Sequence, residues 1–150
     1  MKIASSLVLA VAAMAACGPS AGAQEFSPLG LWKTINDVDG KLRSIVLIME
    51  VDGELQGRIE KIFPNPDEEP NPKCNKCQGV RKDQPIVGLV FMTGLKKVGG
   101  EFTDGQILDP DDGKVYQSKM ELTDGGKKLK VRGYVGMPLF GRTQTWLRSQ

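Results

Sequence analysis

VRGYVGMPLFGRTQTW, residues Val131 to Trp146, decides how this chain closes. Two alternating runs flank a Gly-Pro turn, so the stretch reads as a pair of antiparallel strands. It carries Arg132, Arg142 and Gln144 beside Tyr134 and Trp146. A matching stretch, Leu29-Gly30-Leu31-Trp32-Lys33, stands near the other end. If the two ends pair, a meander of strands shuts into a barrel and leaves no exposed sheet edge.

The residues between them support that closure. Strand patterns cover Leu29 to Asn36, Lys41 to Val51, Glu54 to Phe63, Pro85 to Leu95, Phe102 to Leu108, Lys114 to Thr123, Lys128 to Val135 and Gly141 to Arg148. Asp52-Gly53 is a two-residue hairpin signal, and Asp124-Gly125-Gly126 is another turn. Asp104-Gly105 interrupts the fifth pattern. Short turns mean antiparallel neighbours. The fold class is therefore all-β, an antiparallel up-and-down β-barrel of about eight strands, whose interior holds side chains or one small ligand. A lipid-facing barrel would need aromatic girdles. Two Trp, two Tyr and five Phe, with a polar Arg148-Ser149-Gln150 end, do not supply them.

One connection is long. Residues 64–84 hold four prolines and the pair Cys74/Cys77, and a loop of this length in a compact domain suits a lid. Cys74-Asn75-Lys76-Cys77 is read as a disulfide of an oxidising compartment. A zinc site would need ligands that the chain lacks, and a redox pair would need a helix start. Asp109-Pro110-Asp111-Asp112-Gly113 departs from calcium-loop spacing and reads as a turn. No metal and no cofactor is implied.

The first residues read as an export signal. Lys2 precedes the apolar run Ile3 to Ala16, which is too short to span a membrane, and Ala21-Gly22-Ala23 is a cleavage site. Residues 1–23 are thus expected to be a signal peptide and 24–150 a single domain, placed in the periplasm or outside the cell. The competing reading is a lipoprotein with its lipid anchor at Cys17, after Met14-Ala15-Ala16. Setting aside 1–23 removes only Lys2, so the net charge falls from +2 to +1, with the signs interspersed. That balance gives no reason to expect nucleic acid, and no later apolar run has transmembrane length.

The chain contains no His. This removes the commonest general base and the commonest metal ligand. An enzyme would have to work through carboxylates such as Asp37, Asp39 and Glu60, and a non-enzymatic role is the expectation.

Gly30-Leu31-Trp32 on a first barrel strand resembles the calycins, the lipocalins and fatty-acid-binding proteins. The resemblance implies a late Arg packed across the Trp32 indole, either Arg142 or Arg148. Arg132-Gly133-Tyr134 resembles the Arg-x-Tyr pair that holds a carboxylate in fatty-acid-binding proteins, but it lies on the penultimate strand rather than the final one. Alternation also sets Leu129, Val131, Gly133 and Val135 on the more apolar face, which turns Arg132 and Tyr134 towards solvent. Arg142, Gln144 and Trp146 share one face, so a buried Trp146 brings the other two inside, where an Arg needs a partner.

The segments LGLWKTINDVDGK, GRIEKIF, CNKCQG, PIVGLVFMTGLKK, ILDPDDGKVY and LKVRGYVGMPLFGRTQTW resemble a bacterial secreted family, domain of unknown function (DUF) 2147, from about Pro28 to Trp146. The resemblance implies a lipocalin-like barrel and supplies no catalytic residues. Two functions follow as expectations. One is a small-molecule-binding barrel for a small amphipathic or anionic ligand, anchored by Arg58, Arg132, Tyr134, Arg142 and Gln144, with Trp32 and Trp146 as structural residues. The other is an envelope interaction or scaffold protein with a filled barrel.

Overall fold

The computed structural model describes residues 26–150. The expected signal peptide, its cleavage site and Cys17 lie outside the described residues. Eight strands form: β1 (Gly30–Ile35), β2 (Leu42–Val51), β3 (Glu54–Ile62), β4 (Val90–Val98), β5 (Glu101–Asp109), β6 (Lys114–Thr123), β7 (Lys128–Tyr134) and β8 (Gly141–Arg148). They pair antiparallel in chain order, and β1 also pairs with β8, so the sheet is a closed barrel. The closing register sets Trp32 opposite Arg148 and Lys33 opposite Leu147. Among the described residues the only helical element is the 3-10 turn Gly79–Arg81. No described helix is long and apolar enough to cross a membrane.

The period-two pattern decides what fills the interior. Inward positions give Trp32 and Thr34 from β1, Ser44, Val46 and Ile48 from β2, and Leu55 and Ile59 from β3. Met92, Leu95, Met120, Leu129 and Trp146 follow around the wall. Asp52 and Gly53 both have positive φ, 52° and 79°, as a tight two-residue hairpin needs.

Most strand ends fall within a residue or so of the sequence expectation, and two features depart further. The fourth strand starts at Val90 rather than Pro85 and runs on to Val98. Residues 85–89 belong to the loop: Pro85 makes an isolated bridge with Lys73, and the chain turns at 86–89, where Leu89 N–H donates to Ile86 O at 3.2 Å. β5 is not interrupted at Asp104-Gly105. Asp104 takes φ 63° and the register with β6 shifts between Phe102 and Gly105, so the pair makes a bulge within one strand.

In a meander, alternate turns share an end. The turns at 52–53, 99–100 and 124–127 lie at one end with the chain entry, residues 26–29. The turns at 36–41, 110–113 and 135–140 lie at the other, with the long connection 63–89. At the first end the Trp32 corner is closed. Trp32 is fully buried, its Nε1 donates to Pro28 O at 2.8 Å, and the Arg148 guanidinium lies 4.2 Å from the ring centroid. Arg148 also donates to the carbonyls of Gly126 (2.7 Å), Leu29 (3.1 Å) and Ser27 (2.6 Å). Of the two candidates for the arginine across Trp32, Arg148 is the one.

Candidate functional site

The second end opens into a cavity of about 900 Å³. That lies within the roughly 300–1,000 Å³ of small-molecule sites. Its deep wall is apolar: Val46, Ile59, Phe91, Ile107, Leu108, Val131 and Trp146. Trp146 is 2% exposed and packs against Phe91 with ring centroids 6.1 Å apart. Two buried hydroxyls, Thr34 and Ser44, interrupt that wall. Thr34 Oγ1 and Ser44 Oγ share a 2.6 Å hydrogen bond, which satisfies both inside the wall.

A polar ladder climbs from Trp146 to the rim. Trp146 Nε1 donates to Gln144 Oε1 at 3.3 Å, and Gln144 Nε2 stands 3.4 Å from Asp37 Oδ2. The Arg142 guanidinium meets the same Asp37 oxygen, through Nε at 3.0 Å and through Nη2. β8 projects Trp146, Gln144 and Arg142 on one face, two residues apart, and the β1–β2 turn brings Asp37 across. Arg142 thus has an anionic partner, although it stands exposed at the rim and not inside as the shared face with Trp146 suggests.

The rim carries more acid than base. Asp37, Glu68, Glu69, Asp109 and Asp111 line it, against Arg43, Lys73 and Arg142. Arg43 Nη1 is 2.5 Å from Glu68 Oε2, and Asn65 N–H donates to the same oxygen at 2.9 Å. The Arg43 hydrogen bond, then the Asn65 N–H, hold the Glu68 carboxyl below the usual carboxylate value. Both arginines of the rim are thus engaged with carboxylates of the protein.

The long connection arches over this end and contributes Pro64, Glu68, Glu69, Pro72, Lys73 and Ile86 to the lining. It is ordered by its own contacts. The Cys74–Cys77 disulfide has Cα atoms 5.3 Å apart, with both residues fully buried. Cys74 N–H donates to Gln84 O at 2.8 Å, and Lys73 bridges Pro85. The connection docks on the β5–β6 turn, where Lys76 Nζ donates to Asp111 O at 2.8 Å. Gly113 makes that docking possible: it has φ 73°, and a Cβ there would lie 2.0 Å from Lys76 O.

The Asp-rich β5–β6 turn holds itself together. Asp111 N–H donates to Asp109 Oδ1 (2.9 Å) and Lys114 N–H to Asp112 Oδ1 (2.8 Å). Tyr116 OH donates to Asp112 Oδ2 at 2.5 Å. That bond, ahead of the Lys114 N–H, lowers the Asp112 carboxyl, and the same bond raises the Tyr116 phenol. Among the described residues no three His, Cys, Asp or Glu side chains are grouped to hold a metal ion.

The expected anchors separate into two groups. Arg142 and Gln144 line the cavity. Arg58 stands on the outer face, paired with Glu60 at 2.6 Å, because Leu55, Gly57 and Ile59 take the inward positions of β3. Arg132 and Tyr134 also alternate outward, while Val131 and Gly133 line the cavity. Arg132 braces the β7–β8 turn, donating to Pro138 O (2.5 Å), Leu139 O (3.2 Å) and Thr143 Oγ1 (2.7 Å). Asp37 lines the rim, whereas Asp39 lies in the exposed β1–β2 turn, with Lys41 Nζ 3.8 Å from its Oδ2. Sequence reasoning missed the Arg43–Glu68 pair, which joins residues 25 apart with no local pattern. It also missed the wall residues Phe91, Ile107 and Leu108.

Comparison with known proteins agrees with this architecture. The model of a bacterial family described as "Uncharacterized protein conserved in bacteria (DUF2147)" matches residues 30–148, and the chain belongs to that family. A solved structure, protein HP1028 from the human pathogen Helicobacter pylori, which belongs to the lipocalin family, superposes with a TM-score of 0.71. It is 22% identical, over 84% of this chain and 85% of that one, a likeness of fold. No curated protein matches the chain.

Proposed function

We propose that this family member is an exported binding protein whose barrel holds one small amphipathic ligand. The carrying observation is the cavity of about 900 Å³ that opens at the second end of the barrel. A barrel serving only as a scaffold has no use for such a space, since interiors pack densely when nothing else fills them. The apolar part of the ligand lies against Phe91, Ile107, Leu108, Val131 and Trp146. Its polar end lies at the rim, within reach of Gln144 and Asp37. The connection 63–89 covers the bound molecule.

The rim bears on the head group. A carboxylate would have to displace Asp37 from Arg142 or Glu68 from Arg43, and it would approach Glu69, Asp109 and Asp111. A neutral hydrogen-bonding or cationic head avoids both costs. We therefore read the ligand as amphipathic and not anionic. Placement in the periplasm or outside the cell belongs to the same reading. It is supported by the apolar run Ile3 to Ala16 before Ala21-Gly22-Ala23, and by a disulfide, which persists in oxidising compartments.

Trp146 offers the test. Trp32→Phe leaves it as the single indole, on the cavity wall. Titration with dodecyl amphiphiles of neutral, cationic and anionic head should change its fluorescence saturably, most tightly for the neutral and cationic heads. No saturable change with any of the three would refute the binding reading. Tightest binding by the anionic amphiphile would overturn the head-group assignment alone.

A further inference from the structure

The rim carries a surface that the cavity does not use. The β7–β8 turn, Val135-Gly136-Met137-Pro138-Leu139-Phe140, exposes Val135, Met137, Leu139 and Phe140, Leu139 to 76%. In the adjacent β1–β2 turn, tied to β8 through Asp37 and Arg142, Val38 is 94% exposed. Single exposed apolar residues are ordinary. An apolar group gathered at one rim marks a contact surface.

Three features select its occupant. The turn's backbone is largely satisfied from within: Val135, Met137 and Phe140 N–H donate to Phe140, Val135 and Met137 carbonyls. The Arg132 guanidinium takes the Pro138 and Leu139 carbonyls. Backbone entering hydrocarbon must bring its hydrogen bonds with it, whereas backbone meeting a protein need not. The six residues contain no ionisable side chain that would have to be desolvated. Finally, six residues fall well short of the about 20–30 per side of a standard protein interface.

We propose that the β7–β8 turn inserts shallowly into the surface of a lipid bilayer, with the mouth of the barrel facing the membrane. Asp37 and Asp39 flank Val38, so anionic lipid adds no attraction and the apolar contact carries the insertion. This goes beyond the ligand reading, and its test does not use the cavity.

In the full chain, Phe140→Trp places an indole in the turn, and near-UV circular dichroism from the buried Trp32 and Trp146 checks that the barrel is intact. Phosphatidylcholine vesicles should shift the added emission to the blue, and lipid brominated on its acyl chains should quench it, at low and high salt alike. Adding Met137→Ser and Leu139→Ser should lower the apparent partition constant about tenfold or more. An emission unmoved by vesicles would overturn the proposal even if the chain reaches the membrane by another segment. So would a shift seen only with anionic vesicles and lost in salt. A shift that rises with protein concentration without vesicles would give the surface to a second copy of the chain instead.

Discussion

Two tryptophans and two arginines mark the two ends of this barrel, and they are used in opposite ways. At the first end Arg148 lies over Trp32 and spends its donors on three backbone carbonyls, so the corner is closed by packing, cation–π attraction and hydrogen bonds together. At the mouth Arg142, six residues before Arg148 on the same strand and above Trp146, holds a side-chain carboxylate in the open. The residue types match, and the environment separates their roles. An arginine bound to main-chain carbonyls beneath a full core is architecture. An arginine bound to one aspartate at the rim of a cavity ties two strands together at the mouth.

Mutations should widen that contrast. Trp32→Ala removes a fully buried ring that nothing else can replace, and about 3–5 kcal/mol of stability should be lost in urea unfolding. Trp146→Ala should cost clearly less, because its ring already borders open space. Equal losses would mean that the mouth is as tightly filled as the Trp32 corner. Next comes Gly113→Ala, where both the φ of 73° and the Lys76 carbonyl exclude a Cβ. We expect a loss of about 1–3 kcal/mol, with faster amide exchange confined to the connection 63–89 and the β5–β6 turn. Faster exchange across β1 and β8 as well would show that the lid and barrel are one cooperative unit.

Arg142→Ala should be smaller still. The Arg142 side chain is 67% exposed, and exposed pairs contribute about 0–1 kcal/mol. The smallest effect is expected from the lid pair. The Glu68 carboxyl is depressed when folded, so its contribution is present above its unfolded value of 4.5 and is lost as pH falls through the folded value. Protection of residues 64–73 against exchange, taken relative to the intrinsic rate at each pH, should therefore fall below about pH 4.5, and Glu68→Gln should show that lower protection already at pH 7. If acid leaves this segment unchanged while the barrel stays folded, the Arg43–Glu68 pair does not hold the lid.

Much of the frame was legible because period-two alternation and Asp-Gly turns are local signals. The Val131 face implied that Arg132 and Tyr134 point out, whereas Arg58 was expected as an anchor and lies outside because Leu55, Gly57 and Ile59 take the inward face of β3. The shared face of Arg142, Gln144 and Trp146 followed from spacing alone. What spacing does not carry is which side chains meet across the barrel. Asp37 and Arg142 are 105 residues apart, and only closure of β1 on β8 joins them. The start of β4 was misplaced because Pro85-Ile86-Val87 has strand composition, yet Leu89 N–H turns back to Ile86 O before the strand begins. The lid has no periodicity, so its contribution to the cavity needed three dimensions.

Native mass spectrometry of the protein from its own organism, beside Val131→Phe, tests the central claim most directly. Val131 lines the cavity, and a benzyl side chain there would occupy part of that space. We expect a small-molecule adduct on the wild-type protein, and a folded Val131→Phe protein without it. Wild-type protein with no adduct, or an adduct retained equally by Val131→Phe, would contradict the account of the cavity as the binding site.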